Sequence, residues 1–348
     1  MYEESAQGTD RREFLKGAAM LGGLAALTAG GTLANVDVAE AATKKKSPNA
    51  QAQSKVDYYK AHPLVKASAK WQKVYAFEPG NSRMIEGMNF SPDGTLWFID
   101  IGYGRVMNIK NGKLNIVHED PKTTPNGAKF IDEDTLLIAD RNLGLCTYTI
   151  STGEYKAQKV DGAKFNILND LVLAGDGKGA YITDPGKSDY LNANGAIWYV
   201  DYSGYKEGKF TAEKWADGLK YPNGITISPD GMFLYVAEFN TNSIINVPSK
   251  AYTKALDTPY VVARLQGGHG PDGVTTDSKG NIYAAHLHAK EVAVVDNQGW
   301  PVQNIQLPVA ANTDPSNLCL HGGYLYVCEF ADGVIRRIKI NAKPNPLE

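Results

Sequence analysis

The sequence predicts an all-β protein, a six-bladed β-propeller with four-stranded blades whose ring is closed by pairing an N-terminal strand with a C-terminal strand. Three observations predict this fold. The 348 residues include 35 Gly and 19 Tyr, a composition typical of many short strands and tight turns. Short apolar runs recur about every 45 residues. A polar side chain also lies at a nearly constant distance before the end of each run.

The repeat consists of six runs that each end in an acidic residue or a histidine. They are TLWFID, TLLIAD, GAYITD, FLYVAE, NIYAAH and YLYVCE, which end at Asp100, Asp140, Asp184, Glu238, His286 and Glu329. Successive intervals are 40, 44, 54, 48 and 43 residues. Turn signals such as SPDG (91–94) precede the runs, and further strands such as GRVMNIK (104–110) follow them. This period is that of propeller blades, and a β-sandwich with an additional domain is the alternative.

The predicted ring comprises residues 71–340. The sixth unit supplies only three strands, so we expect WQKVYAF (71–77) to provide the fourth strand and close the ring. Residues 42–70 are polar and are predicted to be a linker or N-terminal arm. Residues 341–348 are predicted to be a C-terminal tail.

Residues 1–41 have the features of a Tat-type export signal. Arg11-Arg12 precedes an Ala- and Gly-rich stretch (17–31), and Ala39-Glu40-Ala41 fits a cleavage site. The apolar stretch is shorter than the ~20 residues needed to span a bilayer, so we expect no stable membrane anchor after cleavage. An uncleaved amphipathic anchor is the alternative. The prediction is a periplasmic or extracytoplasmic protein that uses the Tat export machinery.

Composition excludes several classes of function. The 36 basic and 38 acidic residues give a net charge of −2, which provides no field for binding nucleic acid. The chain has no CxxC, Gly-x-Ser-x-Gly, P-loop or dinucleotide motif, which counts against redox, serine-hydrolase and nucleotide chemistry. The three cysteines, Cys146, Cys319 and Cys328, are predicted to be free core thiols.

One oxygen-bearing side chain stands 12 to 15 residues before the end of each run, where the innermost strand of each blade is expected to begin. We call these residues the axial ring: Glu86, Asn126, Asn169, Asn223, Asp272 and Asn317. In a propeller, such positions surround the central channel at one end. A single Asn-Gly or Asp-Gly dipeptide usually indicates a turn, but six polar residues in one register predict a common site.

The chemistry of the axial ring favours a metal ion. Burying such groups without partners costs roughly 1–3 kcal/mol each, and a bound cation removes that cost. Side-chain oxygens without His or Cys are the ligands of hard divalent cations, so we expect Ca²⁺ first, with Mg²⁺, Mn²⁺ or Zn²⁺ after it. Glu86 and Asp272 supply two negative charges, which balance one divalent cation.

Four segments carry a resemblance to a known family. Glu86-Gly87, Asn169-Asp170 with YITDP (181–185), PNGITISPDGMFLYVAE (222–238) and GPDGVTTDSKGNIY (270–283) resemble the senescence marker protein/gluconolactonase family, which includes regucalcin. The resemblance extends over residues 71–340 and implies a six-bladed propeller with one catalytic divalent metal. It implies Glu86, Asn169, Asn223 and Asp272 as ligands, with Asn126 and Asn317 as additional axial ligands.

The resemblance also implies a reaction, the hydrolysis of a lactone or related ester. The metal would act as a Lewis acid, and Asp272 would act as the general base or as a nucleophile. Because a carboxylate bound to a cation is a poor base, both roles of Asp272 stay open. Hydrolysis of phosphotriesters is expected as a side activity. The alternative is a non-catalytic, metal-stabilised propeller that binds a sugar, peptide or protein partner.

Loops at the same end of the channel are expected to form the substrate pocket. The candidates are His269, His286 and His288 for substrate contact or proton transfer, Arg141 for an anionic group, and Tyr103 and Phe239 for an apolar mouth. In sugar-lactone members of the resembling family, the residue two before the third-blade Asn is typically an Arg, and here it is Ile167. We therefore expect a more apolar substrate than gluconolactone.

Overall fold

The computed structural model describes residues 48–78, 84–252, 259–308, 314–330 and 333–348. Six antiparallel sheets form a ring, which confirms the predicted six-bladed β-propeller. The predicted export signal (1–41) and the first residues of the predicted linker (42–47) lie outside the described residues. We number the blades 1 to 6 along the chain.

The first three blades contain strands β2 to β14. Blade 1 comprises β2 (Ile85–Phe90), β3 (Leu96–Asp100), β4 (Arg105–Lys110) and β5 (Lys113–Glu119). Blade 2 comprises β6 (Pro125–Phe130), β7 (Thr135–Asp140), β8 (Gly144–Thr149) and β9 (Glu154–Ala157). Blade 3 comprises β11 (Leu171–Leu173), β12 (Gly179–Asp184), β13 (Gly195–Gly204) and β14 (Lys209–Leu219), and β10 (Val160–Asp161) adds a parallel edge strand beside β14.

The last three blades contain strands β15 to β25. Blade 4 comprises β15 (Pro222–Ile227), β16 (Phe233–Glu238), β17 (Ser243–Pro248) and β18 (Tyr260–Arg264). Blade 5 comprises β19 (Gly270–Thr276), β20 (Ile282–Leu287), β21 (Glu291–Val295) and β22 (Pro301–Gln306). Blade 6 comprises β23 (Pro315–His321), β24 (Tyr324–Glu329) and β25 (Val334–Lys339), and its fourth strand is β1 (Gln72–Ala76).

Pairing of β1 with β25 closes the ring. The two strands run antiparallel, from Gln72 opposite Arg337 to Ala76 opposite Val334. This is the closure expected for residues 71–77. It removes a long unpaired edge from the sixth blade.

The hydrophobic core lies between the blades. In the described residues, six buried clusters occur, one between each pair of neighbouring blades. Between blades 1 and 2, for example, Trp97 and Ile99 pack in one cluster with Leu136 and Ile138. The three cysteines are free, as expected. The packing between sheets therefore holds each inner strand at a fixed distance from the axis.

The N-terminal arm packs against the ring. It contains helix α1 (Pro48–Ala61), and Leu64 and Val65 beyond the helix join the buried cluster between blades 5 and 6. The side chain of Gln303 hydrogen-bonds both the N–H and the carbonyl of Val65 at 2.9 Å. Within the described residues, no helix has the length and apolarity required to cross a membrane.

The C-terminal tail closes one end of the central channel. Asn345 is buried, and its Nδ2 donates to the carbonyl of Ile227 at 2.7 Å and to Oγ1 of Thr276 at 2.8 Å. The carboxylate of Glu348 accepts hydrogen bonds from the hydroxyls of Thr226 and Thr275. These partners lie at the ends of β15 and β19, whereas the axial ring lies at the other end of the inner strands.

Candidate functional site

The axial ring lies where the pairing of the inner strands is interrupted. In five blades, the register between the first and second strands shifts at this level, for example between Pro222 and Ile225 and between Pro271 and Val274. Such β-bulges redirect side chains and are frequent beside functional sites. Asn223-Gly224 and Asp272-Gly273 therefore lie within strands and do not form turns.

Neighbouring blades touch one another at the axial ring. Between blades 1 and 2, a Cβ on Gly87 would lie 2.4 Å from the carbonyl oxygen of Asn126. Between blades 2 and 3, the N–H of Gly127 donates to the carbonyl of Asn169 at 2.7 Å. Between blades 3 and 4, the hydroxyl of Thr183 donates to the carbonyl of Asn223 at 2.7 Å.

The same close contacts continue through the other half of the ring. A Cβ on Gly224 would lie 2.4 Å from the carbonyl oxygen of Asp272, and a Cβ on Gly273 would lie 2.9 Å from Cα of Asn317. Between blades 6 and 1, the hydroxyl of Ser316 donates to the carbonyl of Ile85 at 2.7 Å. The six predicted positions therefore form one continuous ring around the axis. Glycine follows four of them because no side chain fits between the strands.

The two carboxylates of the axial ring are buried and act on each other. Glu86 is 6% exposed and Asp272 is 9% exposed. Burial, followed by repulsion from Asp272, raises the pKa of Glu86 well above its ordinary value. Burial, followed by repulsion from Asp170, also raises the pKa of Asp272. Hydrogen bonds to Asn317 and Asn223, respectively, oppose these shifts, so carboxylates and amides of the ring are direct neighbours.

Two further charged residues of the channel were missed by the sequence analysis. Asp170 is buried, and burial raises its pKa to about 6, whereas the charge of Lys129 lowers it. Asp170 follows the ring residue Asn169, at a position where four other blades have glycine. This departure from glycine was the sequence feature that could have indicated a role for Asp170 in the channel. The only signal for Lys129 was a lysine inside a predicted inner strand.

The buried carboxyl groups of the channel repel one another. Asp272 and Asp170 raise the pKa of Glu86, and Asp170 raises the pKa of Asp272. Two cationic side chains act in the opposite direction, because Lys129 lowers the pKa of Asp170 and Arg141 lowers that of Asp272. A divalent cation among these groups would favour their ionised forms in the same way.

The donor set of the axial ring also fits a hard cation. A cavity of about 10 Å³ lies in the channel one to three residues beyond the ring; Gly87, Asp170 and Lys129 line it, and Asn317 is the ring residue that lines it. In the described part of the chain, no group of three or more His, Cys, Asp or Glu side chains is arranged to hold a metal. The oxygens of the axial ring come mainly from amides, which Ca²⁺ accepts alongside carboxylates.

Several acidic residues at the run ends hold the loops above the axial ring. Asp140 accepts hydrogen bonds from the N–H groups of Thr124 and Asn142 at 2.9 and 2.8 Å. Asp184 accepts from the N–H groups of Asn166 and Ile167 at 2.8 and 2.9 Å. These residues therefore connect the loops to the blades, which gives them a structural role.

Most of the predicted pocket residues lie in these loops. Ile167, Tyr103 and Phe239 are half-buried. The Arg105 guanidinium lies over the ring of Tyr103, 4.4 Å from its centroid, and Phe239 packs against Tyr221. Leu168, next to Ile167, is fully buried in the core cluster between blades 2 and 3.

The predicted pocket residues Arg141, His269 and His286 have different surroundings. The backbone of Arg141 is fixed by a hydrogen bond to Thr124 O at 2.9 Å, and its charge lowers the pKa of Asp272 across the ring. His269 is exposed. His286 is fully buried inside blade 5, where its ring nitrogens contact Asn242 Oδ1 at 3.0 Å and Glu291 at 3.4 Å. Its surroundings are structural, so we do not retain His286 as a pocket residue.

Comparison with known families identifies the chain. The family described as SMP-30/Gluconolactonase/LRE-like region matches residues 85–329, more than two thirds of the sequence. The chain belongs to this family. The match includes all six residues of the axial ring. Helix α1, β1 and the C-terminal tail lie outside it.

Individual proteins show the same relationship. Lactonase drp35 from Staphylococcus epidermidis is 24% identical over 265 residues, which cover 74% of this chain and 76% of that protein. A gluconolactonase structure from Xanthomonas campestris matches with a TM-score of 0.65 and 20% identity, over 80% of this chain and 92% of that one. A calcium-binding regucalcin from Agrobacterium tumefaciens has the same TM-score, 21% identity and 80% and 97% coverage. At these identities, the two structures establish the fold alone.

Proposed function

We propose that this family member is a metal-dependent hydrolase that acts on a lactone or related ester. The observation that carries the proposal is the axial ring, in which six buried oxygen-bearing side chains surround the axis and include two carboxyl groups, of which Asp272 raises the pKa of Glu86. Relatives named as a lactonase and a gluconolactonase support this reaction class. A relative named as a calcium-binding protein supports Ca²⁺ as the ion.

We assign Glu86, Asn169, Asn223 and Asp272 as the ligands of the cation, with Asn126 and Asn317 as additional axial ligands. The bound cation would polarise the carbonyl group of the substrate. The remaining catalytic need is a group that takes a proton from the attacking water. Asp272 is one candidate for this role and is also a candidate nucleophile.

The substrate is proposed to be more apolar than gluconolactone. Ile167, Tyr103 and Phe239 support this inference because they are half-buried apolar or aromatic side chains in the loops beside the run ends. Arg141 supplies one cationic group that is suited to an oxyanion or to the carboxylate of the product. Phosphotriester hydrolysis is proposed as a side activity of the same site.

The cellular location is a separate proposal. The twin arginine at 11–12 and the apolar stretch at 17–31 support Tat export to the periplasm or another extracytoplasmic space. Mass spectrometry of the protein recovered from cell fractions tests it. A mature N-terminus after Ala41 in the periplasmic fraction is the expected result.

One experiment tests the proposed reaction. The metal content of the purified protein is measured, and lactones and aryl esters are then assayed before chelation, after chelation and after Ca²⁺ is restored. We expect turnover that is lost with the metal and recovered with it, and that is also lost in Asp272→Ala. Turnover that is insensitive to chelation and to Asp272→Ala would contradict the metal-hydrolase mechanism. A protein that binds metal and turns over no compound would instead support the binding-module alternative.

A further inference from the structure

A polar groove lies between blades 4 and 5, at the end of the inner strands opposite the axial ring. Its volume is about 320 Å³, which is within the range of small-molecule sites. The turns that follow β15, β19 and β21 contribute to its walls, whereas Asn223 and Asp272 lie near the starts of β15 and β19. We call it the blade 4/5 groove, and it is lined by Asp230, Asn246, Tyr260, Lys279, Asn297 and Gln298 among others.

One side chain of the blade 4/5 groove is buried with an unsatisfied polar atom. Asn246 lies on β17 and is 2% exposed. Its side chain faces blade 5, because Ile244, two residues earlier on the same strand, packs in the cluster between blades 4 and 5. Nδ2 of Asn246 lies 3.3 Å from the hydroxyl of Tyr260, and within the described residues Oδ1 has no hydrogen-bond partner. Because a buried polar atom without a partner is unfavourable, a ligand that supplies the missing partner would gain binding free energy here.

The equivalent groove between blades 1 and 2 shows how the chain itself satisfies such an asparagine. That groove is also open, and Asn108 lines it. Asn108 lies opposite Asn115 of the outermost strand, just as Asn246 lies opposite Tyr260. Nδ2 of Asn115 donates to Oδ1 of Asn108 at 2.9 Å. In blade 4, an aromatic residue takes the place of this amide donor, so the hydrogen bonding of Asn246 is left incomplete.

The unpaired amide atom of Asn246 favours a hydroxyl group as its partner. A tyrosine hydroxyl both donates and accepts, so it pairs with either amide atom in the two orientations of the carboxamide. The other amide atom then needs a donor in one orientation and an acceptor in the other. A hydroxyl group of a ligand meets both needs, whereas a phosphate or a carboxylate offers acceptors alone.

The other residues of the groove favour a neutral sugar. Asp230 and Lys279 carry opposite charges, so the groove has no net charge to attract an ionic ligand. Tyr260 is 52% exposed, and an exposed aromatic ring offers a surface for the apolar face of a sugar ring. Asn297 and Gln298 add carboxamides, which both donate and accept hydrogen bonds.

We propose that the blade 4/5 groove binds a neutral saccharide. A sugar hydroxyl completes the hydrogen bonding of Asn246, and the apolar face of the sugar ring packs on Tyr260. Asn297 and Gln298 hydrogen-bond further hydroxyls. This site does not depend on the axial ring or on the proposed hydrolysis, because it lies at the opposite end of the inner strands.

Titration of the full chain with neutral oligosaccharides tests the proposal. Maltotriose, cellotriose, mannotriose and triacetylchitotriose are titrated by calorimetry in the presence of Ca²⁺, and trigalacturonate serves as the anionic comparison. We expect saturable binding of at least one neutral sugar with a Kd below about 1 mM, and no binding of trigalacturonate in that range. In ¹H–¹⁵N spectra, the side-chain amide signals of Asn246 should shift when this sugar is added.

Two variants and a matched control locate the bound sugar. Asn246→Leu and Tyr260→Ala should each weaken binding at least about fivefold, because each removes one contact with the sugar. Asn108→Leu, at the equivalent position of blade 1, should leave binding unchanged. Asn246→Leu should not lower the melting temperature, because it removes an unsatisfied buried amide. Asn108→Leu should lower it by at least about 2 °C, because Asn115 loses a hydrogen bond.

The outcomes distinguish this site from the proposed hydrolytic site. Wild-type protein that binds none of the neutral sugars overturns the inference, and so do Asn246→Leu and Tyr260→Ala variants that bind as tightly as the wild type. Binding that is lost in Asp272→Ala and kept in Asn246→Leu also overturns it, because the sugar would then lie at the axial ring. Weaker sugar binding in Asn246→Leu, with lactone turnover equal to that of the wild type, is the expected result and holds even if both proteins turn over no lactone.

Discussion

Replacing Gly224 by Ala tests whether contact between inner strands sets the geometry of the proposed metal site. The added Cβ would lie 2.4 Å from the carbonyl oxygen of Asp272 and 2.7 Å from both Cα of Gly273 and N of Val274. All three neighbours are backbone atoms, so no side-chain rotation relieves the overlap. The inner strands of blades 4 and 5 must separate by about 1 Å to restore ordinary contacts.

The size of the effect follows from this displacement. Overpacking of this kind costs about 3 kcal/mol, the upper end of the usual range, which corresponds to a fall in melting temperature of roughly 5 °C for a propeller of this size. Because metal–ligand distances tolerate changes of only about 0.2 Å, moving Asn223 away from Asp272 should weaken Ca²⁺ binding at least about tenfold. Calorimetric titration with Ca²⁺ and thermal unfolding measure the two effects.

Gly112→Ala is the control for this experiment. Gly112 has φ +74° and no atom within 4 Å of an added Cβ. The substitution should cost only the roughly 1–2 kcal/mol of a left-handed alanine and leave Ca²⁺ affinity unchanged. If Gly224→Ala bound Ca²⁺ as tightly as Gly112→Ala, the reasoning that links strand contact to the metal site would be refuted.

Three further predictions address the cation, the tail and the pocket. Ca²⁺ at 100 times its Kd should stabilise the fold by about 2.7 kcal/mol in thermal unfolding, and Glu86→Gln should abolish most of this gain; an equal gain in the variant would contradict the assignment of Glu86 as a ligand. Glu348→Ala should lower stability by about 1–3 kcal/mol because two buried hydroxyls lose their acceptor, whereas Lys343→Ala, which keeps its backbone contact with Ser278, should have no measurable effect. Ile167→Arg should favour gluconolactone: the kcat/KM for an aryl lactone divided by the kcat/KM for gluconolactone should fall at least about tenfold. An unchanged ratio would place Ile167 outside the pocket.

The fold and the axial ring could be predicted because both repeat. Each blade needs an inner strand that starts near the axis, so a polar residue at this level recurs at a similar distance before the end of the second strand, as in Asn126 before Asp140 and Asn223 before Glu238. The missing fourth strand of blade 6 could also be inferred, because a ring with an open edge is unfavourable. Periodicity therefore carries structural information without any knowledge of tertiary contacts.

Features that occur only once could not be predicted in this way. Leu64 and Val65 are two apolar residues in a polar segment, and only the cleft between blades 5 and 6 makes them part of a core. Glu348 reaches Thr226 and Thr275 across more than 70 residues of sequence, and nothing in the tail indicates these partners. Such contacts depend on the closed ring, which must be known before its ends can be placed.

His286 and His288 show where strand periodicity itself stops being informative. Their spacing of two residues places both side chains on the same face of a continuing strand, so the sequence treated them as equivalent candidates. β20 ends at Leu287, however, and the positive φ of His288 breaks the alternation one residue later. The first histidine is consequently enclosed by Asn242 and Glu291, whereas the second is about half exposed and contacts Asp314 through Nδ1. The two histidines differ because of one backbone angle, and the carboxylate that holds this angle comes from a different blade.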